Sequence, residues 1–384
     1  MAKGPLEGVK VVEIAGIGPA PCAGMMLADM GAEVVLVERK VASANAAGVL
    51  PDGEGQAIYN RGKRSIAVDL KAAAGVAVVL DLIADADILI EGFRPGVMER
   101  LGLGPQVALQ RNPKLVYGRL TGWGQTGPLA QAAGHDPNYI ALSGALWYGG
   151  SAQREPTAPL TLVGDLGGGT MMLLWGVMCA LHQARAGGEG QVVDAAITDG
   201  SAYLSSLLWM MYNTGQIRDQ LGAGWADGAA PWNGTYRCAD GEFITLCALE
   251  PQFYQELLQR LELDREPLFE KQWDRKAWPE ARARLEQRLA TQTRDQWCEL
   301  LEGTDACFAP VLSFAEAPLH PHNVARQTFS SVNGVTQPNP APKLGSHQPQ
   351  LGVPPRCGEH SKQVLENAGY AADQVAALLT EGVI

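Results

Sequence analysis

Val9-Lys10-Val11-Val12-Glu13-Ile14, followed by Ala15-Gly16-Ile17-Gly18, is the stretch whose reading decides the fold. Residues 9–14 are a short β-rich run, 16–18 a turn, 19–30 carry apolar side chains at helical spacing, and 33–38 are β-rich again. That order is a βαβ unit, which joins two parallel strands. Residues 65–70, 71–84 and 88–91 repeat strand, helix and strand, and 105–112 with 114–120 add a helix and another strand. Alternation of this kind predicts an α/β fold, a Rossmann-like parallel sheet covered on both faces. Further on, 165–186 reads as a long apolar helix, 191–195 as a strand and 199–212 as a helix of buried character.

The pattern changes after about residue 215. Residues 236–238 and 243–248, flanking Ala239-Asp240-Gly241, read as a hairpin, and helices are expected at 251–263, 279–290 and 293–301. A Pro-rich stretch, 338–355, is expected to be an extended strap, and two short helices, 361–368 and 371–379, follow it. The expected organisation is a large α/β domain over 1–220, a smaller α+β domain over 225–325, and a C-terminal strap over 326–384 that returns to the large domain.

Composition narrows the function classes. Of 384 residues, 46% are hydrophobic and 18% charged, and 41 acidic against 30 basic side chains give a net charge of -11. Such a charge repels phosphate backbones and anionic bilayers, so neither nucleic acid nor membrane is an expected partner. The apolar run 171–181 falls short of the ~18 to 20 residues that span a bilayer, and Glu7 and Glu13 stand where a signal peptide is cationic and then apolar. A cytoplasmic location is expected. Seven cysteines show no C-x-x-C pair and no neighbouring His to complete a metal site, and they read as small apolar residues in a reducing compartment.

Gly16-x-Gly18 opening a helix, with Glu38 closing the next strand, has the outline of a dinucleotide fingerprint. Pro21 occupies the third glycine position, however, and Arg39 and Lys40 follow Glu38. Cations at a strand's carboxyl end suit a phosphorylated ribose, with a solvated surface pair as the alternative. Lys63, Arg64, Arg94 and Arg100 also flank predicted strands, and in an acidic chain such a gathering points to an anionic ligand in the crevice at the sheet's edge. The loop Thr121-Gly122-Trp123-Gly124-Gln125-Thr126-Gly127-Pro128 follows a strand, where ligands are held.

Gly134-His135-Asp136-Pro137-Asn138-Tyr139 is the most chemical stretch. Asp136 before Pro137 reads as an N-cap with a first-turn proline, Asp165 as another N-cap candidate, and Glu250 before Pro251 as an acid or base or a cap. Each has a bland reading as a helix cap. Together they are the kind of set that proton transfer at carbon requires. Met171, Met172, Met178, Met210 and Met211 read as ordinary core.

Over nearly its whole length the chain resembles the class III coenzyme A transferase superfamily, and within it the racemase branch acting on 2-methylacyl thioesters. The landmarks are Val11-Val12-Glu13, 92–96, 121–128, Gly134-His135-Asp136, Gly190-Gln191-Val192-Val193-Asp194-Ala195, 250–254, and Gly303-Thr304-Asp305-Ala306-Cys307 before Pro310-Val311-Leu312. The Gly-His-Asp triplet and Glu250-Pro251-Gln252-Phe253-Tyr254 favour that branch, because transferases generally rely on the aspartate corresponding to Asp165.

The resemblance implies that His135, oriented by Glu250, and Asp165 are two bases on opposite faces of the substrate. It implies that Arg39, Val68, Asp69, Leu70, Lys71, Gly92, Arg94, Arg100, Gly134, Asp136, Pro137, Asn138 and Tyr139 hold the coenzyme. It further implies an acyl-CoA substrate, an interlaced homodimer, and no separate cofactor or metal, since coenzyme A is part of the substrate. Pro137 and Gly224-Trp225-Ala226-Asp227-Gly228-Ala229 depart from the family pattern and bear on acyl specificity. The other chemistry such a site can perform is CoA transfer to a carboxylic acid, with Asp165 as the nucleophile.

Overall fold

The computed structural model describes residues 4–40, 58–151, 154–345, 347 and 349–384. Strands β1 (Lys10–Ile14), β2 (Glu33–Glu38), β3 (Arg64–Ala67), β4 (Ile88–Glu91), β5 (Val116–Thr121) and β6 (Val192–Ala196) form one sheet in the order β3-β2-β1-β4-β5-β6. Every pairing is parallel. The chain order reverses between β1 and β4, so a crevice opens at their carboxyl ends, where open α/β sheets bind ligands.

Alternation along the strands builds a core on each face. Val12 and Ile14 face Val78, Val79 and Ile83 of helix Ala73–Ala84, whereas Val11 faces Ala20, Ala23 and Leu27 of helix Pro19–Asp29. The C-terminal segment belongs to the first of these cores. Val364, Leu365, Val375, Val383 and Ile384 are buried there, and the Asp69 N–H donates to the Val383 carbonyl at 2.8 Å.

The chain divides into two compact units, one of 1–143, 159–204 and 327–384, the other of 144–158 and 205–326. Helix Ser206–Asn213, included in the large domain by the sequence reading, thus lies in the second unit. That unit holds the antiparallel sheet β7 (Asn233–Arg237), β8 (Phe243–Cys247) and β9 (Phe308–Pro310), with helices Pro251–Arg260, Trp278–Leu289 and Arg294–Leu301 around a core that includes Trp232, Ile244, Leu257 and Trp297.

Several elements differ from expectation. In place of one α-helix from Asp165, a π-helical segment, Leu162–Met171, runs directly into helix Met172–Arg185. Leu166 N–H reaches back to the Thr161 carbonyl at 2.9 Å, the wide i to i-5 turn that Gly164, Gly167, Gly168 and Gly169 permit. The combined 24 residues are long and apolar enough to cross a membrane by length and composition. Leu173 and Val177 instead cover the sheet: a Cβ on Gly118 of β5 would lie 3.0 and 3.1 Å from them. The helix expected over 199–212 is two, Ile197–Leu204 and Ser206–Asn213. Met171 and Met210, read as core, are 47% and 52% exposed. An unanticipated hairpin, β10 (Phe329–Val332) and β11 (Val335–Pro338), turns through Asn333 and Gly334, both at positive φ.

Candidate active site

The carboxyl end of β5 leads through 122–135 into helix Asp136–Leu142. The residue that opens this helix is His135, with extended backbone at φ -136° and ψ 176°. Its N–H donates to Asn138 Oδ1 at 3.0 Å, and the residue is exposed at the helix start. Asp136 was expected to be the N-cap. It is instead the first helical residue, and its buried carboxylate faces the π-helical segment, where Oδ2 accepts the N–H groups of Gly164 and Asp165, both at 2.8 Å. A Cβ on Gly164 would stand 2.5 Å from that oxygen, so the glycine is what admits the carboxylate.

Asp165 likewise is not an N-cap. It sits in the first turn of the π-helical segment, which opens at Thr161. Burial, and then the charge of Asp136, push its carboxyl up to about 6, while His135 opposes the shift. The Asp136 tie between the two helix starts therefore brings His135 and Asp165 within electrostatic reach. Tyr59, which sequence reading passed over, belongs to the same neighbourhood. Its hydroxyl is pushed up by burial, by Cys22 and by Asp165. Nothing in its flanking sequence marks it, because its neighbours here are distant in the chain.

Tyr139 shapes the loop. Its hydroxyl donates to the Gly134 carbonyl, and its ring meets Trp123 edge-on with centroids 4.8 Å apart. A side chain on Gly134 would come within 2.7 Å of this ring, and one on Gly122 would overlap it. Pro137 and Asn138 are exposed in the first turn.

The expected coenzyme residues gather at the strand ends. Arg39 follows β2, Lys71 follows β3, and Arg94 and Arg100 follow β4. All four are exposed, and among the described residues none has a side-chain hydrogen bond or ion pair. The contrast within the unit is sharp, since Arg61, Arg64, Arg111, Arg119 and Arg185 are each paired with a carboxylate. Val68 has its backbone carbonyl to offer: its side chain is fully buried and its N–H donates to the Glu38 carbonyl. Asp69 Oδ1 accepts the Lys71 N–H at 2.9 Å, and Leu70 packs on the core. Gly92 lies against the start of helix Pro19–Asp29, where an added Cβ would be 3.3 Å from Ala20 Cβ.

Glu250 lies in the second unit. It takes the N-cap position before Pro251 with extended backbone, yet its exposed side chain makes no capping bond. Among the described residues no group of three His, Cys, Asp or Glu is placed to hold a metal ion.

Residues 6–361 match the model of CoA-transferase family III. The chain is 43% identical over 382 residues to a Mus musculus protein named alpha-methylacyl-CoA racemase, covering 99% of this chain and 97% of the mouse one. It is 40% identical to the Homo sapiens protein of the same name, with the same coverage. A crystal structure of a CAIB/BAIF family protein from Brucella suis superposes with a TM-score of 0.79 at 28% identity, covering 95% of this chain and 100% of that one.

Proposed function

Because this chain belongs to CoA-transferase family III, we propose that it inverts the configuration at C2 of 2-methyl-branched acyl-CoA thioesters, through an enolate formed between two bases. The observation that carries this reading is that the two helix starts tied by Asp136 bring His135 within electrostatic reach of an Asp165 carboxyl held at about 6, poised to give or take a proton near neutrality. The identities to the mouse and human racemases support it.

The steps balance as a proton exchange. Neutral His135 takes the C2 hydrogen as a proton, the C–H electron pair becomes the C1–C2 double bond, and the thioester oxygen becomes the enolate oxygen. Protonated Asp165 then delivers its proton to the other face of C2. The roles reverse for the other epimer. Among the amides at the start of helix Asp136–Leu142, Asn138 N–H is engaged by the His135 carbonyl at 2.8 Å. The Asp136 N–H, first in the helix, has no intrahelical acceptor and is the candidate donor to the enolate oxygen; such donors contribute ~2.7 to 4 kcal/mol in measured oxyanion sites. Glu250 orients the imidazole and stabilises its charged form. Arg39, Lys71, Arg94 and Arg100 receive the phosphates of the coenzyme. No cofactor beyond the coenzyme A of the substrate takes part, and the active species is a homodimer.

The second reading, CoA transfer to an acid through Asp165, is favoured by the family's name and needs neither His135 nor Glu250. Single variants separate the two. His135→Ala and Asp165→Ala each lower inversion by ~10² to 10⁴, since both faces are needed, yet each still exchanges C2 hydrogen from the one epimer whose base survives. Opposite epimer preferences are the expected signature. If His135→Ala behaves as wild type and Asp165→Ala loses exchange for both epimers alike, the two-base mechanism fails.

A further inference from the structure

Between β4 and β5 lies a buried charge network that the catalytic proposal does not use. Arg119, on β5, donates from Nε to Glu91 Oε1 of β4 at 2.8 Å, and from Nη1 to Glu99 Oε1 of helix Val97–Arg100 at 2.8 Å. The other Glu91 oxygen accepts the Phe93 N–H at 2.7 Å. Two residues before Arg119 and on the same face of β5, Tyr117 donates its hydroxyl to the Leu103 carbonyl at 2.9 Å. The segment 92–103 is thereby gripped at its start, in its helical turn and at its end.

The same segment carries Arg94 and Arg100. In the helical turn Glu99 faces Arg119, whereas its neighbour Arg100 folds back towards Gly96, whose φ of 83° opens the turn. A Cβ on Gly96 would be 3.3 Å from Arg100 Nη1. Charge is divided along with position. Glu99 in this segment and Glu91 just before it are both engaged by Arg119, so neither neutralises Arg94 or Arg100. A charged residue inside a buried strand is costly unless paired, and β5 otherwise runs Val116-Tyr117-Gly118 before Arg119 and Leu120 after it.

We propose that Arg119 is a positioning residue for the nucleotide half of the coenzyme. It fixes the 92–103 segment and withdraws Glu91 and Glu99 from the two arginines that meet phosphate. The inference rests on the coenzyme-binding part of the reading above, and not on the two-base chemistry.

The test compares 2-methylacyl-CoA with the same acyl group on pantetheine, which lacks the nucleotide and its phosphates, in wild type, Arg119→Lys and Glu99→Ala. Glu99→Ala is included because its side chain is 45% exposed and its loss leaves the buried Arg119 still paired with Glu91, whereas altering Arg119 can unfold the strand pair around Glu91. Both variants should raise KM for the CoA thioester about tenfold with kcat within about twofold, and leave KM for the pantetheine thioester unchanged. Calorimetric affinity for free coenzyme A should weaken by the same factor. Folded variants with wild-type KM and affinity, or an equal rise for both thioesters, or a fall in kcat alone, overturn the proposal. Because free coenzyme A reports binding without turnover, weakened affinity in the variants of a protein that shows no C2 exchange would uphold the clamp and sink the racemase reading. Normal exchange with unaltered affinity would do the reverse.

Discussion

Asp165 shows how much of the site a residue type can disclose and where that stops. Histidine and carboxylates beside helix starts single out His135, Asp165 and Glu250 as candidates, and their roles are what the family resemblance implies. The roles of Asp136 and Asp165 as caps of their own helices were not realised, because Asp136 binds the Gly164 and Asp165 amides across a gap in the chain, with no local signal apart from Gly164 itself. The electrostatic outcome is testable. Burial and Asp136 hold the Asp165 carboxyl up at about 6, so it is protonated below that pH and ionised above it. Neutral His135 with protonated Asp165, and charged His135 with ionised Asp165, contain the same number of protons. Both epimers should therefore share one bell-shaped pH profile of kcat/KM, whose two limbs belong to the pair. A rate that rises through about pH 6 and then stays level would mean that ionised Asp165 acts alone as nucleophile.

Among the elements, the inner strands β1, β2, β4 and β5 were legible because each has one face on each core, and the bounds of the sheet strands needed shifts of only a few residues. The π-helical turn was not, since four glycines lower the cost of a wide turn without announcing one. The Asn333-Gly334 hairpin carried a strong local signal that went unread beside the Pro-rich strap. The apolar helices were read as core, yet helix Met172–Arg185 exposes Trp175 by 68%, Ile197–Leu204 exposes Tyr203 by 71%, and Ser206–Asn213 exposes Leu207 and Trp209 by more than half. Exposed aromatic and aliphatic side chains of this size are of the kind that a partner covers. The proposed homodimer would provide such cover, with a second copy burying well above ~2,000 Å² as obligate dimers do. Dilution in light scattering should then yield no active monomer, and a fully active monomer at low concentration would contradict the assembly.

For the whole molecule, the repeated strand-helix-strand alternation over 9–120 foretells a parallel sheet, and the topological switch between β1 and β4 places the crevice near the arginines that are unpaired among the described residues. The division into units was less legible, because 144–158 leaves the first unit and 159–204 returns to it, so neither unit is one continuous stretch of chain. The reaction proposed for this architecture is inversion at C2. It is tested most directly by incubating one epimer of a 2-methylacyl-CoA with the protein in deuterated water, with an acceptor acid present, and following C2 by mass and by configuration. The account predicts inversion accompanied by deuterium at C2, with the thioester staying on its own acyl group. Transfer of CoA to the acceptor while C2 keeps its protium and its configuration would contradict it.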